Sequence, residues 1–176
     1  HFAQGQAFGP GFDLKRGRGG IREIEFFAQV HQLIYGGRDP SLRVAARVDA
    51  LAALAAAGRI EADVAVRLSG HYATLRRIEH RLQMIEDQQT HSLPTQEAAL
   101  DCVARLDGEA DGAALLAVLA PVVADVGSCY DRLVAERAVT TGLPRDEGGL
   151  AVQLIAAGFD PPDAALRTIA EWRGGK

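Results

Sequence analysis

The chain has 176 residues, 48% apolar and 24% charged, with a net charge of −4; this is the balance of an ordinary folded core, with room for one medium domain and an appendage. Basic and acidic residues are interspersed, which excludes the broad electrostatic footprint of a nucleic-acid binder but leaves a local anion site open. Cys102 and Cys129 show no Cys-x-x-Cys or Cys/His spacing, so reduced core thiols in a cytoplasmic protein are predicted rather than a disulfide frame or a zinc site.

The longest apolar run, 113–126, carries Pro121 and Asp125 and is shorter than a bilayer span. With no charged-then-apolar leader either, a soluble, unexported protein with no membrane partner is expected. The chain opens without Met on His1-Phe2-Ala3-Gln4-Gly5, ahead of the turn Gly9-Pro10-Gly11, and reads as a segment excised from a longer protein.

In chain order, a possible extended piece at Phe12 to Lys15 precedes the first helix. Ile24, Phe27, Ala28, His31, Ile34 and Tyr35 recur at helical spacing across Ile21 to Tyr35, which predicts an amphipathic helix ended by Gly36-Gly37. Ser41 can cap a second helix running to about Ala57. The longest periodic segment, Glu61 to Gln88, sets Val64, Leu68, His71, Leu75, Ile78, Leu82 and Ile85 on one buried stripe, flanked by a polar strip of Arg76, Glu79, His80, Gln83 and Asp87. Helices from Thr95 to Leu106 and from about Asp111 to Ala138 follow. Pro121 lacks an amide donor and is expected to kink the latter.

Past Thr141 two short helical patterns, Gly149 to Ala157 and Pro162 to Trp172, flank Gly158-Phe159-Asp160-Pro161, with Phe159 and Trp172 expected as anchors. The predicted fold is all-α: an antiparallel helical bundle with a short extended N-terminal segment and a small helical C-terminal appendage. Its parts are a glycine-rich lead-in over 1–20, a bundle over 21–140, and a linker or start of a further module over 141–176.

The most informative stretch is Asp13-Leu14-Lys15-Arg16-Gly17-Arg18-Gly19-Gly20-Ile21-Arg22-Glu23-Ile24-Glu25-Phe26, where three glycines and four basic residues run into a helix. Free amides at a helix start favour an anion, glycines permit close approach, and Lys15, Arg18 or Arg22 could add charge. The stretch matches no standard nucleotide loop, so a solvated basic turn competes with a phosphate site. Glu23 and Glu25 lie roughly 200° apart on a helix and cannot share a metal. The strip around Arg76, Glu79 and His80 could supply a general base, or be a face of i,i+3 and i,i+4 pairs. His31 and His71 read as core histidines. No Ser-His-acid or His-Glu-x-x-His pattern is present, so no self-contained active site is expected.

The run from Asp13 to Phe26, then Gln32-Leu-Ile-Tyr-Gly-Gly-Arg-Asp-Pro40, resembles the glutamine synthetase adenylyltransferase family. So do Leu75-Arg-Arg-Ile-Glu-His-Arg-Leu-Gln-Met-Ile-Glu-Asp-Gln-Gln-Thr-His-Ser-Leu-Pro94, Gly158-Phe-Asp-Pro, Ala164-Ala-Leu-Arg and Trp172. The form Gly17-Arg-Gly-Gly-Ile-Arg-Glu with Gln88-Gln-Thr-His-Ser-Leu-Pro is more similar to the adenylyl-removing half; Arg16 stands where a leucine is usual.

The resemblance implies the helical domain of a bifunctional adenylyltransferase, inactive alone. Asp13, Lys15, Gly19, Gly20, Arg22 and Glu25 would lie along a cleft, Lys15 and Arg22 would face phosphate oxygens, and Arg76, Glu79 and Gln83 would line the opposite wall. It implies magnesium held mainly by a preceding nucleotidyltransferase domain, no metal on this chain, and ATP, AMP and phosphate as ligands of the whole enzyme. Glutamine synthetase and the PII signalling protein are the implied partners. The alternatives are a regulatory module that docks PII or glutamine synthetase, and the helical domain of the related uridylyltransferase family.

Overall fold

A computed structural model describes residues 6–86, 90–140, 144, 146–159 and 161–173. Among them the fold is all-α, in two compact units, His1–Leu133 and Val134–Lys176. The first holds α1 (Ile21–Tyr35), a 3-10 turn (Pro40–Leu42), α2 (Arg47–Ala56), α3 (Ala62–Glu86), α4 (Glu97–Asp107) and most of α5 (Gly112–Thr140). The second holds the end of α5 with α6 (Glu147–Ala156) and α7 (Asp163–Arg173).

The helical periodicity explains the first unit's core. α1 contributes Ile21, Ile24, Phe27 and Ala28, α3 contributes Leu68, Leu75, Ile78 and Leu82, and α5 contributes Leu115, Leu119, Val126 and Leu133. The expected α3 stripe is corrected at both flanks: Val64 is only partly buried and Ile85 is 41% exposed. His71, also expected in the core, instead faces α5, with Nε2 2.9 Å from Asp125 Oδ2. His31 is buried as expected, its Nδ1 2.8 Å from the Phe27 carbonyl oxygen one turn back. Cys129 is buried, but Cys102 is exposed on α4, so only one thiol belongs to the core.

The second helix starts later than the Ser41 cap predicts. Asp39 is the residue that caps there, its Oδ1 accepting from the Ser41 amide at 3.0 Å, and only a single 3-10 turn results. Gln32 Nε2 on α1 then donates to the Leu42 and Val44 carbonyls at 2.7 and 2.8 Å. Carbonyls held by a side chain of another helix are not feeding a helical ladder, and α2 begins only at Arg47.

α5 runs undivided through Pro121, whose ring lies on the exposed face. Its stretch Gly112–Ala135 is long and apolar enough to cross a bilayer, which the shorter run picked out from the sequence did not indicate. One face of this stretch is packed in the core, and Asp125 on it is tied to α3 by His71 and by Arg67 Nε at 3.2 Å.

In the second unit α6 packs on α7. Asp146 caps α6 by accepting from the Gly149 amide at 2.6 Å, and Leu150 and Leu154 are its buried residues. The anchoring expected of Phe159 and Trp172 is not what is found: they are 53% and 72% exposed.

The lead-in is part of the first unit. Gly11 and Leu14 donate backbone amides to Leu93 and His91, and Leu93 donates back to Phe12, forming an antiparallel bridge between Asp13 and Ser92. The possible extended piece at Phe12 to Lys15 is this bridged segment. Gly19 packs against α5 at a φ of +80°, and a Cβ there would fall 2.0 Å from the Val123 carbonyl oxygen. Both a left-handed backbone and a backbone clash oppose any side chain at this position.

Two stability experiments follow from these contacts. Gly19→Ala should lower the unfolding free energy by about 2 kcal/mol or more in urea titration. Gly37→Ala, where a Cβ would meet nothing within 4 Å, should stay within about 0.5 kcal/mol of the parent; equal effects would show that the packing at Val123 is not what selects Gly19. The second concerns Asp125. Burial raises its carboxyl pKa, but hydrogen bonds from His71 and Arg67 and their charges outweigh this and hold it below the ordinary value of 3.8. A depressed folded-state pKa adds stability above the unfolded value, and that stability is lost as pH falls through the lower folded value. Asp125→Asn should therefore flatten the stability profile below about pH 4, and an unchanged acid slope would mean the pair contributes nothing to acid sensitivity.

Candidate functional site

The glycine-rich turn folds by its own backbone. Asp13 Oδ1 accepts from the Lys15 and Arg16 amides at 2.9 and 2.8 Å, closing the tight turn that short acidic side chains favour. Glu23 reaches back from the first turn of α1, and its Oε2 accepts from the Gly19 amide at 2.8 Å. The amides of Gly20, Ile21, Arg22 and Glu23 donate to the carbonyls of Gly17, Leu14, Lys15 and Gly20. The donors that a helix start would offer an anion are thus engaged within the turn itself. Gly20 is required by close approach, since a Cβ would lie 2.6 Å from the Leu14 carbonyl oxygen. An anion approaching this turn would meet side chains rather than the helix end.

Those side chains converge on one carboxylate. Glu79, expected on a polar strip of α3, is fully buried. Its Oε2 is paired with Arg76 one turn back. Its Oε1 lies 3.8 Å from Lys15 Nζ and 2.8 Å from His91 Nδ1. Although the histidine contact is short, Oε1 and Nδ1 are both buried without a hydrogen bond. The side chains of Lys15 and Arg76 remain 30% and 36% exposed. The carboxylate is sealed while the cations around it reach solvent. Lys15 comes from the lead-in, Arg76 and Glu79 from α3, and His91 from the loop after α3, and the backbone bridge between Asp13 and Ser92 holds these pieces together.

The structure therefore gathers Lys15, Arg76 and Glu79 from the candidate residues. Asp13, Gly19 and Gly20 shape the turn beside them. Arg22 is exposed and Gln83 half-buried. Glu25 sits on α1 with Tyr72 Oη 3.4 Å from its Oε1. Glu23, read as one of an acidic pair, is buried, and that burial raises its carboxyl pKa above 4.5 despite the Gly19 amide and the charge of Arg18. Arg18 pairs instead with Asp131 of α5. His80 is exposed, and Asp87 of the predicted strip lies outside the described residues.

His91 is the residue that the sequence did not single out. It lies in a polar loop, and only the long-range pairing with Leu14 brings it over Glu79. No group of three or more His, Cys, Asp or Glu side chains that could hold a metal ion occurs among the described residues, and the one buried carboxylate of the cluster is surrounded by basic groups. These residues do not fit a divalent-cation site. An open cleft of about 670 Å³ lies elsewhere, between the end of α1 and residues 42–45. Its Gln32 and Arg43 donors are already engaged by the carbonyls of Leu42, Val44, Gly36 and Gly37, so the Lys15 cluster is the better candidate.

Comparison with known proteins gives the same picture at the level of family. Residues 2–134 match the family model described as GlnD PII-uridylyltransferase. The chain is 44% identical, over 94% of its length, to the bifunctional glutamine synthetase adenylyltransferase/adenylyl-removing enzyme of Caulobacter vibrioides. It is 40% identical over its whole length to the protein of that name from Agrobacterium fabrum, and 44% identical over 91% of its length to that from Xanthomonas axonopodis pv. citri. It spans only 18%, 19% and 18% of these relatives' own lengths. The chain belongs to the GlnD PII-uridylyltransferase family, and it aligns with a segment of the bifunctional glutamine synthetase adenylyltransferase/adenylyl-removing enzymes.

Proposed function

We propose that this chain is the helical domain of the adenylyl-removing half of a bifunctional enzyme that adenylylates and deadenylylates glutamine synthetase in the cytoplasm. The observation that carries the proposal is the pairing of two partly exposed cations, Lys15 and Arg76, on the buried Glu79. In phosphorolysis an oxygen of inorganic phosphate attacks the phosphorus of the AMP-tyrosine ester. The bond to the tyrosine oxygen breaks, leaving ADP and the tyrosine hydroxyl once a proton is returned. Negative oxygens crowd together as that attack proceeds, and fixed cations at the cleft wall stabilise them by charge-assisted contacts.

Lys15 and Arg76 would supply that wall, with exposed Arg22 beside them, while the glycine turn and Asp13 hold the backbone in place. The chemistry itself needs groups outside this chain. Magnesium, bound with ATP or AMP, belongs to the nucleotidyltransferase domain in this reading, because the carboxylates here are buried, paired or scattered. The names of the relatives support the adenylyl reaction over the uridylyl reaction for which the family model is named. A second reading, in which the bundle docks PII or glutamine synthetase, is favoured by the exposed apolar side chains Leu33, Val66 and Met84, at 83%, 73% and 67% exposure.

The isolated chain should show a helical circular-dichroism spectrum and no phosphorolysis of adenylylated glutamine synthetase. In the full-length enzyme, Lys15→Ala should slow deadenylylation about a hundredfold while the helical spectrum is kept. Undiminished deadenylylation would remove the phosphate-facing role. Tight binding of PII or glutamine synthetase by the isolated chain, insensitive to Lys15→Glu and Arg22→Glu, would favour the docking reading.

A further inference from the structure

Glu79 is the most constrained charge in the first unit. It is fully buried, yet it sits in the middle of α3, where one face already supplies apolar side chains to the core. Taking a carboxylate out of water is costly unless it is paired, and a buried ion pair is weak evidence of stability because an apolar group of similar size often serves as well. A reason other than stability is needed for a carboxylate at this position. Its geometry supplies one. Its two oxygens face three basic groups from three parts of the chain: Oε2 faces Arg76, and Oε1 faces Lys15 at 3.8 Å and His91 at 2.8 Å.

Oε1 has no hydrogen bond, and neither has His91 Nδ1. The carboxylate is held by charge proximity to basic groups rather than by a hydrogen bond at each oxygen. It is a shared centre towards which three basic side chains lean, two of them, Lys15 and Arg76, with side chains 30% and 36% exposed. A flexible lysine or arginine loses side-chain entropy when it is fixed, and a common buried counter-charge fixes both against one rigid point on a helix.

We propose that Glu79 is a positioning residue: its buried carboxylate sets the Lys15 ammonium and the Arg76 guanidinium side by side facing the phosphate groups, with His91 lying against the same carboxylate oxygen as Lys15. The inference rests on the functional reading above. Glu79 touches no substrate and acts only through the two cations. Misplacing such groups by about 1 Å is enough to cost on the order of a hundredfold in rate, so the effect should be felt in catalysis and not only in folding.

The test is a mutant cycle on deadenylylation by the full-length enzyme, with the helical spectrum recorded for each variant. Glu79→Gln keeps the shape and removes the charge. It should lower kcat/KM by about ten- to a hundredfold, and adding Glu79→Gln to a Lys15→Ala, Arg76→Ala enzyme, in which both cations are already gone, should slow it no further to within about twofold. A purely structural role would make the two losses multiply, and that result overturns the inference. So does a folded Glu79→Gln enzyme of full activity beside an inactive Lys15→Ala enzyme, which leaves the functional reading standing. Full activity in Lys15→Ala would overturn both. If Glu79→Gln does not fold, Glu79→Asp keeps the charge but withdraws it by one methylene; it must then lower kcat/KM in folded enzyme, and undiminished activity overturns the inference.

Discussion

The antiparallel pairing of residues 11–14 with 91–93 is the contact on which the arrangement of the first unit's charged cluster depends. Three backbone hydrogen bonds, Gly11 to Leu93, Leu93 to Phe12 and Leu14 to His91, join a segment before α1 to one after α3. With the two strapped together, Phe12, Leu14 and Leu93 are buried in the same core as the helices. The strap also fixes the height of Lys15 above α3, because Leu14 is bonded both to His91 and, through its carbonyl, to the Ile21 amide at the start of α1. Without it Lys15 would be a basic residue in a solvated turn.

The glycines of the lead-in take their meaning from that strap. A glycine-rich run before a helix suggests a cradle for phosphate, since bare backbone can approach an anion. Here the close approach is to protein: Gly20 nestles on the Leu14 carbonyl, and Gly19 on the Val123 carbonyl of α5. α5 meets the turn again at Gly127, where a Cβ would lie 3.0 Å from Arg18 Nη1, and at Asp131, which pairs with Arg18. The turn is wedged between α3 and α5 by sterics and one exposed ion pair. Its charge is then displayed from side chains whose anchors are buried.

Charge inside the unit is arranged in two ways. Asp125 joins α3 to α5 through His71 and Arg67 at a partly exposed seam, where water screens much of the energy. Glu79 lies among three basic groups at a fully buried point, where screening is weak and its position is rigid. The first arrangement ties helices together. The second gathers side chains from three parts of the chain around one point, with Lys15 and Arg76 left partly exposed.

The sequence by itself determined the fold class and most of the helices, though not the 3-10 turn before α2. Apolar residues three and four apart mark α1 at its observed bounds and α3 and α5 within a few residues, because burial of one face is a local, periodic demand on the chain. It also carried the motifs of the family, and it named Lys15 from the basic glycine-rich turn and Arg76 and Glu79 from a polar strip at helical spacing, since both patterns are visible in one dimension. What it could not decide was which charges are buried and who meets whom. His71 has the spacing of a core residue and Glu79 that of a surface strip, yet the first faces Asp125 across a seam and the second is sealed under the lead-in. His91 entered only through a backbone pairing between residues far apart in the chain. Such outcomes depend on which segments close over a helix, and no local period encodes that; only the tertiary structure, by bringing the lead-in and the loop after α3 onto the same turn of α3, decided it.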